Sequence, residues 1–275
     1  MKVREIAKNY EFIRRIVMFS VLFLLLLQFI RSKILVGSLT GSLLFSWLTL
    51  LDPFAFLEIQ LASRSIDLNA INSVLPVIGI YLIFGRAFCG WICPMDFLFR
   101  LINKIKFSLK FSLSHKIPSN IGYLFFFIFL FSSFMFGIPI FTNYLSHLTN
   151  LFRGITGLYF LIFDMPVEFS TVLYSILFIL VLLMLEFFFP NLWCRIICPI
   201  GRLYGSLNKI SLLHLRFDRD KCLNCQVCNK SCYMGIEIMN QINQGKLRSI
   251  DCIFCGRCIQ KCSQKGNVIN FKLGV

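Results

Sequence analysis

Charge is scarce in this sequence. Only 15% of its 275 residues are Asp, Glu, Lys or Arg, against roughly 25% in ordinary soluble domains. That shortage excludes intrinsic disorder, which needs a polar, charged chain, and argues against a soluble globular enzyme. Acid is scarcer still: 13 Asp+Glu face 28 Lys+Arg, a net charge of +15, and there are only three histidines and three tryptophans. Apolar residues fill the space. The chain is 57% hydrophobic and 16% aromatic, with 32 Phe, and its mean hydropathy is +0.75. This composition indicates a membrane α-helical protein. Cysteine is the exception to the scarcity. Twelve occur, in regular clusters that point to metal rather than to scattered disulfides.

Four apolar stretches could cross a bilayer, which requires about 20 residues; the first, centred on 16–30, is short between Arg15 and Arg31. They are Ile16–Ile30, Ala70–Phe88 with Pro76 inside it, Ile121–Phe141, and Phe169–Phe189 interrupted only by Glu186. With both termini in the cytoplasm, 24 of the 28 basic residues fall inside, and Arg31, Lys33, Arg64 and Arg153 fall outside. This is the positive-inside bias. It accounts for most of the net charge without nucleic acid. Ile34–Leu51 carries no charge but many Gly, Ser and Thr residues. It is expected to lie on or dip into the outer face rather than form a fifth span. The N-terminal apolar run lacks a small-residue cleavage site, so it reads as an anchor rather than a signal peptide.

The tail, residues 214–275, carries the strongest motif. Cys222, Cys225, Cys228 and Cys232 form C-x2-C-x2-C-x3-C, and Cys252, Cys255, Cys258 and Cys262 repeat it. This is the bacterial two-cluster ferredoxin pattern, in which the fourth cysteine of each run serves the other cluster. The expected ligand sets are therefore Cys222, Cys225, Cys228 and Cys262 for one [4Fe-4S] cluster, and Cys252, Cys255, Cys258 and Cys232 for the second. Zinc sites pair C-x2-C units across longer loops. Haem attachment is excluded because no C-x-x-C here precedes a histidine. Tyr233 and Ser263 stand where the usual pattern has proline, which touches the turn and not the ligands. Leu215–Phe217 and Val268–Phe271 read as short strands flanking the clusters, giving a small α+β domain.

The other four cysteines lie in residues 1–213 and form a second repeat. Phe88-Cys89-Gly-Trp-Ile-Cys93-Pro94 aligns with Trp193-Cys194-Arg-Ile-Ile-Cys198-Pro199, 105 residues later. Each copy follows an out-and-back pair of spans. The four spans thus read as two parallel repeats of a helix pair, with both C-x3-C-P elements, at 89–94 and 194–199, at the inner surface. Pro94 and Pro199 are expected to open helices. Cys89, Cys93, Cys194 and Cys198 suit an additional metal centre, a redox-active thiol pair, a docking element or plain packing. Glu186, the only acid inside a span, is a weak candidate for quinol or proton chemistry. Asp52 and His147 read as ordinary outer-side loop residues, and His115 and His214 as solvent-exposed. The Phe125–Phe127 stripe reads as lipid-facing bulk.

Arg14-Arg15, Ser42–Phe45, Leu51-Asp52-Pro53, Arg86–Pro94, Trp193–Gly201 and the double ferredoxin tail together resemble the NapH family, the ferredoxin-type membrane subunits of periplasmic nitrate reductase systems. The resemblance spans nearly the whole chain. The same motif combination is shared with NosR-type regulators and CcoG-type oxidase-assembly proteins. It implies a quinol dehydrogenase component of the bacterial cytoplasmic membrane. Such a component would pass electrons from membrane quinol, with a periplasmic iron–sulfur partner of the NapG type, toward a periplasmic reductase. The alternative it carries is a membrane ferredoxin for metal reduction, oxidase assembly or redox regulation.

Overall fold

The computed structural model describes residues 10–30, 35–44, 48–108, 118, 120–242, 245–263 and 268–274. The expectations placed on Arg31, Lys33 and His115, and on the cytoplasmic basic residues Lys2, Arg4, Lys8, Lys110 and Lys116 counted among the 24, lie outside them. The chain forms two compact units. One comprises Phe23–Val77 and Pro94–Pro199; the other comprises Met1–Leu22, Ile78–Cys93 and Ile200–Val275. The division does not follow chain order, because segments 1–22, 78–93 and 200–213 group with the tail.

The first unit is mostly helical. Helix α1 (Tyr10–Leu26), whose residues to Leu22 group with the second unit, ends in a 3-10 turn. Strands β1 (Leu35–Gly37), β2 (Gly41–Leu44) and β3 (Leu48–Leu51) then form an antiparallel meander. The described residues of the Gly/Ser/Thr-rich segment are therefore extended rather than helical. Gly37 sits at φ 120°, where a Cβ would meet the Gly41 carbonyl at 2.5 Å, so the first turn requires glycine.

Along the chain, helices α2 (Pro53–Ser63), α3 (Leu68–Phe84), α4 (Ala87–Trp91) and α5 (Pro94–Ser108) follow, α4 and the part of α3 from Ile78 belonging to the second unit. Then come α6 (Ile121–Phe136), a π-turn at Phe141–Leu145, α7 (His147–Ile162) and α8 (Phe169–Phe188). A second π-turn at Trp193–Ile197 leads into α9 (Pro199–Leu207). Both motif prolines open helices, because proline lacks only a hydrogen that the first helical turn leaves unused. The local backbone repeats as well: the Cys93 N–H bonds to the Phe88 carbonyl at 3.1 Å, and the Cys198 N–H to the Trp193 carbonyl at 2.8 Å.

Two helices of the first unit begin inside it. Pro53, Phe54 and Ala55 at the start of α2, and His147 and Leu148 at the start of α7, are buried, whereas Arg64 and Phe163 at the far ends are exposed. Buried helix starts must find acceptors for their free N–H groups. Asp52 takes those of Phe54 (2.8 Å) and Ala55 (3.1 Å), and the Ser146 hydroxyl takes that of Thr149 (3.3 Å). Asp52 is thus a buried cap rather than a loop residue.

Polarity in this unit runs from inside to outside. On α6 and α8 the buried positions include Ser133, Ser175 and Glu186, while Phe127, Phe131, Leu177, Val181 and Met184 point outward. Among the described residues, one helix, Phe169–Phe188, is long and apolar enough to cross a membrane; Ala70–Phe84 and Ile121–Phe136 are shorter apolar helices.

In the second unit, β4 (Leu213–Phe217) is the centre of a three-stranded antiparallel sheet, flanked by β5 (Lys246–Leu247) and β6 (Ile269–Leu273). Leu215 pairs with both Leu247 and Phe271. Short helices α10 (Val227–Ser231), α11 (Ile238–Ile242) and α12 (Arg257–Ser263) complete it. The expected strands at 215–217 and 268–271 are present as β4 and β6. His214, expected in solvent, is completely buried, because its strand is the middle one.

Candidate metal centre

The two cysteine runs wrap two separate cavities. In each run the residue before the second cysteine and the residue after it adopt positive φ: Asn224 (49°) and Gln226 (54°), then Phe254 (48°) and Gly256 (74°). Two left-handed residues in three curl the chain into a tight loop. A non-glycine residue resists that conformation by about 1–2 kcal/mol, so something must hold Phe254 there. Its ring is buried, and its carbonyl accepts the Trp91 indole N–H at 2.9 Å. At Gly256 a Cβ would strike the Tyr10 ring at 2.9 Å. Helices α10 and α12 then carry the later cysteines of each run away from the loop.

One cavity is lined by Cys222, Cys225, Cys228 and Cys262, closed by Val227, Met239, Val268 and Ile269. The other is lined by Cys232, Cys252, Cys255 and Cys258, closed by Leu215, Met234, Ile236, Ile238, Leu247 and Phe254. The cavities differ in access. Cys225 is exposed, whereas Cys252 and Cys258 are less than a tenth exposed. All twelve cysteines are free thiols. Among the described residues, no group of three or more His, Cys, Asp or Glu converges tightly enough to hold a single metal ion. The tail cysteines ring voids instead.

Electrostatics fit a cationic occupant. Burial pushes the thiols of Cys228, Cys232, Cys252, Cys258 and Cys262 up, and neighbouring thiols of the same cavity push them further. Four thiolates buried together are unfavourable unless a metal core offsets their charge. Soft sulfur donors in an apolar shell suit iron–sulfur clusters. The Ile236 N–H already points to the Cys232 sulfur at 3.4 Å, a contact of the kind that tunes such centres.

The second loop is gripped by residues that its own sequence does not reveal. Asn208 is fully buried; its amide donates to the Ser249 and Cys252 carbonyls, both at 2.8 Å, and accepts the Arg86 N–H at 2.7 Å. Gly90 and Gly205 lie flush on the loop: a Cβ would meet the Ile253 carbonyl at 2.3 Å and the Ile250 carbonyl at 2.4 Å. Gly90 thus explains one position of the first C-x3-C-P element. Gly90→Ala should push the 250–253 backbone away at a cost of about 1–3 kcal/mol. The check is cluster retention during thermal unfolding of the purified protein, and an unchanged midpoint would refute the close fit.

Cys89 and Cys93 belong to the second unit, and Cys194 and Cys198 to the first. Cys93 and Cys198 are buried; Cys89 and Cys194 are half-buried. Glu186 is buried and accepts from the Asn191 N–H at 2.6 Å and the Asn103 amide at 3.3 Å. It thereby tethers the left-handed turn at Asn191. His147 is not an outer loop residue. It is buried among aromatic rings, and its Nδ1 accepts the Trp193 indole N–H at 3.0 Å, beside Cys194. The pattern overlooked Glu58, completely buried on α2. Its carboxyl accepts from Ser133 Oγ (2.6 Å), the Phe141 N–H (2.6 Å), the Thr142 N–H (2.9 Å) and Thr142 Oγ1 (2.5 Å).

Comparison with known proteins agrees with this layout. A family described as 4Fe-4S binding domain matches twice, at residues 69–114 and 171–219, each match holding one C-x3-C-P element. A 4Fe-4S dicluster domain matches residues 214–263. The ferredoxin-type protein NapH of Escherichia coli K12 is 29% identical over 84% of this chain and 78% of its own length. NapH of Haemophilus influenzae is 29% identical over 94% of this chain and 88% of its own. The methylamine utilization ferredoxin-type protein MauN of Methylorubrum extorquens is 27% identical over 71% of this chain and 64% of its own. No solved structure matches.

Proposed function

We propose that this chain, a NapH-like ferredoxin-type protein, is the membrane-bound electron-transfer subunit of a quinol dehydrogenase, passing electrons from membrane quinol toward a periplasmic reductase. Nitrate reductase is the acceptor system favoured by the NapH relatives, through a periplasmic iron–sulfur partner of the NapG type. The observation that carries the reading is the pair of cavities in the tail, each lined by four cysteines. Cys222, Cys225, Cys228 and Cys262 would hold one [4Fe-4S] cluster, and Cys232, Cys252, Cys255 and Cys258 the other. Bound there, each cluster supplies one-electron transfer.

The chain's own residues do the rest. The apolar walls exclude water and hold the thiolates in a low-dielectric setting. Asn208, Gly90 and Trp91 fix the second loop against segment 78–93 and helix α9. The outward Phe, Leu and Val residues of α6 and α8, over buried Ser133, Ser175 and Glu186, suit helices solvated by lipid. They support a membrane setting for these two helices; four spans with both termini inside is the reading that the apolar runs and the basic-residue bias support.

Two measurements test the reading. Reporter fusions after residues 69 and 163 should score periplasmic, and those after residues 110 and 275 cytoplasmic; a periplasmic score at 110 overturns the four-span topology. In inverted membrane vesicles, added quinol should bleach the iron–sulfur absorbance of the protein. Vesicles in which dithionite bleaches the chromophore while quinol does not, at any poise, overturn the quinol role.

A further inference from the structure

We propose that the first unit carries a quinone site: a cleft between α7, the start of α8 and β1 that takes the ring of a membrane quinol or quinone. This deepens the proposed function and rests on its quinol reading.

The cleft has a volume of about 690 Å³, inside the range of small-molecule sites, and its lining residues all belong to the first unit. Helix α7 forms the long wall. Phe152, Arg153, Thr156 and Phe160 recur three and four residues apart, so they share one helical face. The floor is apolar. Phe152 and Val172 are buried, and Gly157 lets the two helices close on each other, since a Cβ there would meet Val172 Cγ2 at 2.4 Å. The wall from β1 is stapled: the Gln28 amide accepts the Gly37 N–H at 2.9 Å and donates to the Gly37 carbonyl at 3.3 Å.

The polar groups are few. Arg153 is the charged residue of the lining. It is half-buried, and its Nη1 donates to the Asn143 carbonyl at 3.3 Å. A guanidinium has five N–H donors, so this one bond orients the group and the rest can serve a ligand oxygen. On α8, Thr171 Oγ1 already donates to the Glu168 carbonyl at 2.8 Å, so toward a ligand it is an acceptor. A donor on one helix and an acceptor on the other, beside aromatic side chains, match a planar ring with an oxygen at each end. A quinone oxygen would accept from Arg153, and a quinol hydroxyl would donate to Thr171.

The place in the fold suits a ligand that arrives through lipid. α8 is long and apolar enough to cross a membrane, and Thr171 and Val172 belong to its first turn. Phe163, Met165, Phe169 and Tyr174 are exposed around that end, as aromatic residues are at a bilayer boundary. A ring held there keeps its isoprenoid tail in the hydrocarbon. A phospholipid could reach the same boundary, but its headgroup offers no flat face to Phe152 and Phe160.

The test is photolabelling of the purified full-length protein with a short-chain azidobenzoquinone, followed by mass-spectrometric mapping. Label should fall within residues 149–172. Unlabelled decyl benzoquinone should compete, and phosphatidylglycerol should not. Arg153→Ala should weaken that competition by about tenfold, the loss of one hydrogen bond from a charged donor. Thr156→Trp, which fills the cleft, should abolish labelling. Retention of the tail clusters identifies variants that fold, and the wild-type map and the lipid competition stand without any variant. Label confined to other residues, label that phosphatidylglycerol displaces as well as the quinone does, or no label at all overturns this inference, while quinol bleaching of the clusters in vesicles still upholds the quinol reading. A labelled cleft in protein whose clusters quinol cannot bleach overturns the quinol-dehydrogenase reading instead.

Discussion

Cys262→Ser should abolish the cluster built on Cys222, Cys225 and Cys228, and leave the one built on Cys252, Cys255 and Cys258 bound. Cys232→Ser should do the reverse. The expectation is counterintuitive from sequence distance, since Cys262 lies four residues from Cys258 and thirty-four from Cys228. It follows from where the helices end. α12 carries Cys258 on its first turn and Cys262 on its last, so the two sulfurs serve different cavities, and α10 with its end at Cys232 does the same. Cluster binding supplies much of the folding free energy of so small a domain. Each serine variant should therefore also lower cluster-dependent thermal stability by several degrees. Iron quantitation should fall from eight to about four per chain, the full content being two four-iron clusters. EPR decides which signal survives. Retention of the Cys222-side signal in Cys262→Ser would show that the cavities are not filled as their linings suggest.

Glu58→Leu should be the most destructive change in the helical unit. The carboxyl receives four hydrogen bonds, two of them from backbone N–H groups that begin the π-turn at Phe141. The Ser133 and Thr142 hydroxyls can rotate toward other acceptors; the two amides cannot. Leaving them buried and unsatisfied costs about 1–3 kcal/mol each, a large share of the roughly 5–15 kcal/mol by which a folded domain is stable. Most of the protein should be lost from detergent extracts. Glu58→Gln should give an intermediate yield: one oxygen still serves one pair of donors, while its NH₂ faces the other. The measure is the fraction eluting as a monodisperse peak, with the tail clusters as internal reference. A wild-type yield for Glu58→Leu would mean that the π-turn is held by something else.

Glu58 also marks the limit of pattern reading. Its partners stand 75 to 84 residues away; the one local signal is a single acid in an otherwise apolar, scarcely amphipathic helix, which does not say what satisfies it. His147 and His214 mislead for the same reason. Each sits near polar or basic residues that suggest solvent, yet one packs on Trp193 and the other belongs to the central strand of a sheet. Local composition reports which residues are compatible with water. It does not report which strand becomes the middle one, or which helix starts inside the bundle.

The sequence by itself determined the chemistry of the tail and the repeat of the C-x3-C-P elements. Ligand spacing is a local property: three cysteines two residues apart already define a loop, and a fourth one helical turn later already points elsewhere. It also determined that helices would open at Pro94 and Pro199, since proline's fixed φ acts within a single turn. Only the tertiary structure decided what holds the second loop. Asn208, Gly90, Gly205, Arg86 and Arg202 reach it from segments that lie 41 to 164 residues away along the chain. Close approach of two backbones, and the pairing of the buried Arg86 and Arg202 guanidiniums with the Asp251 carboxylate, are settled by packing between distant segments, where free energy depends on which surfaces meet and not on the order in which the residues are joined.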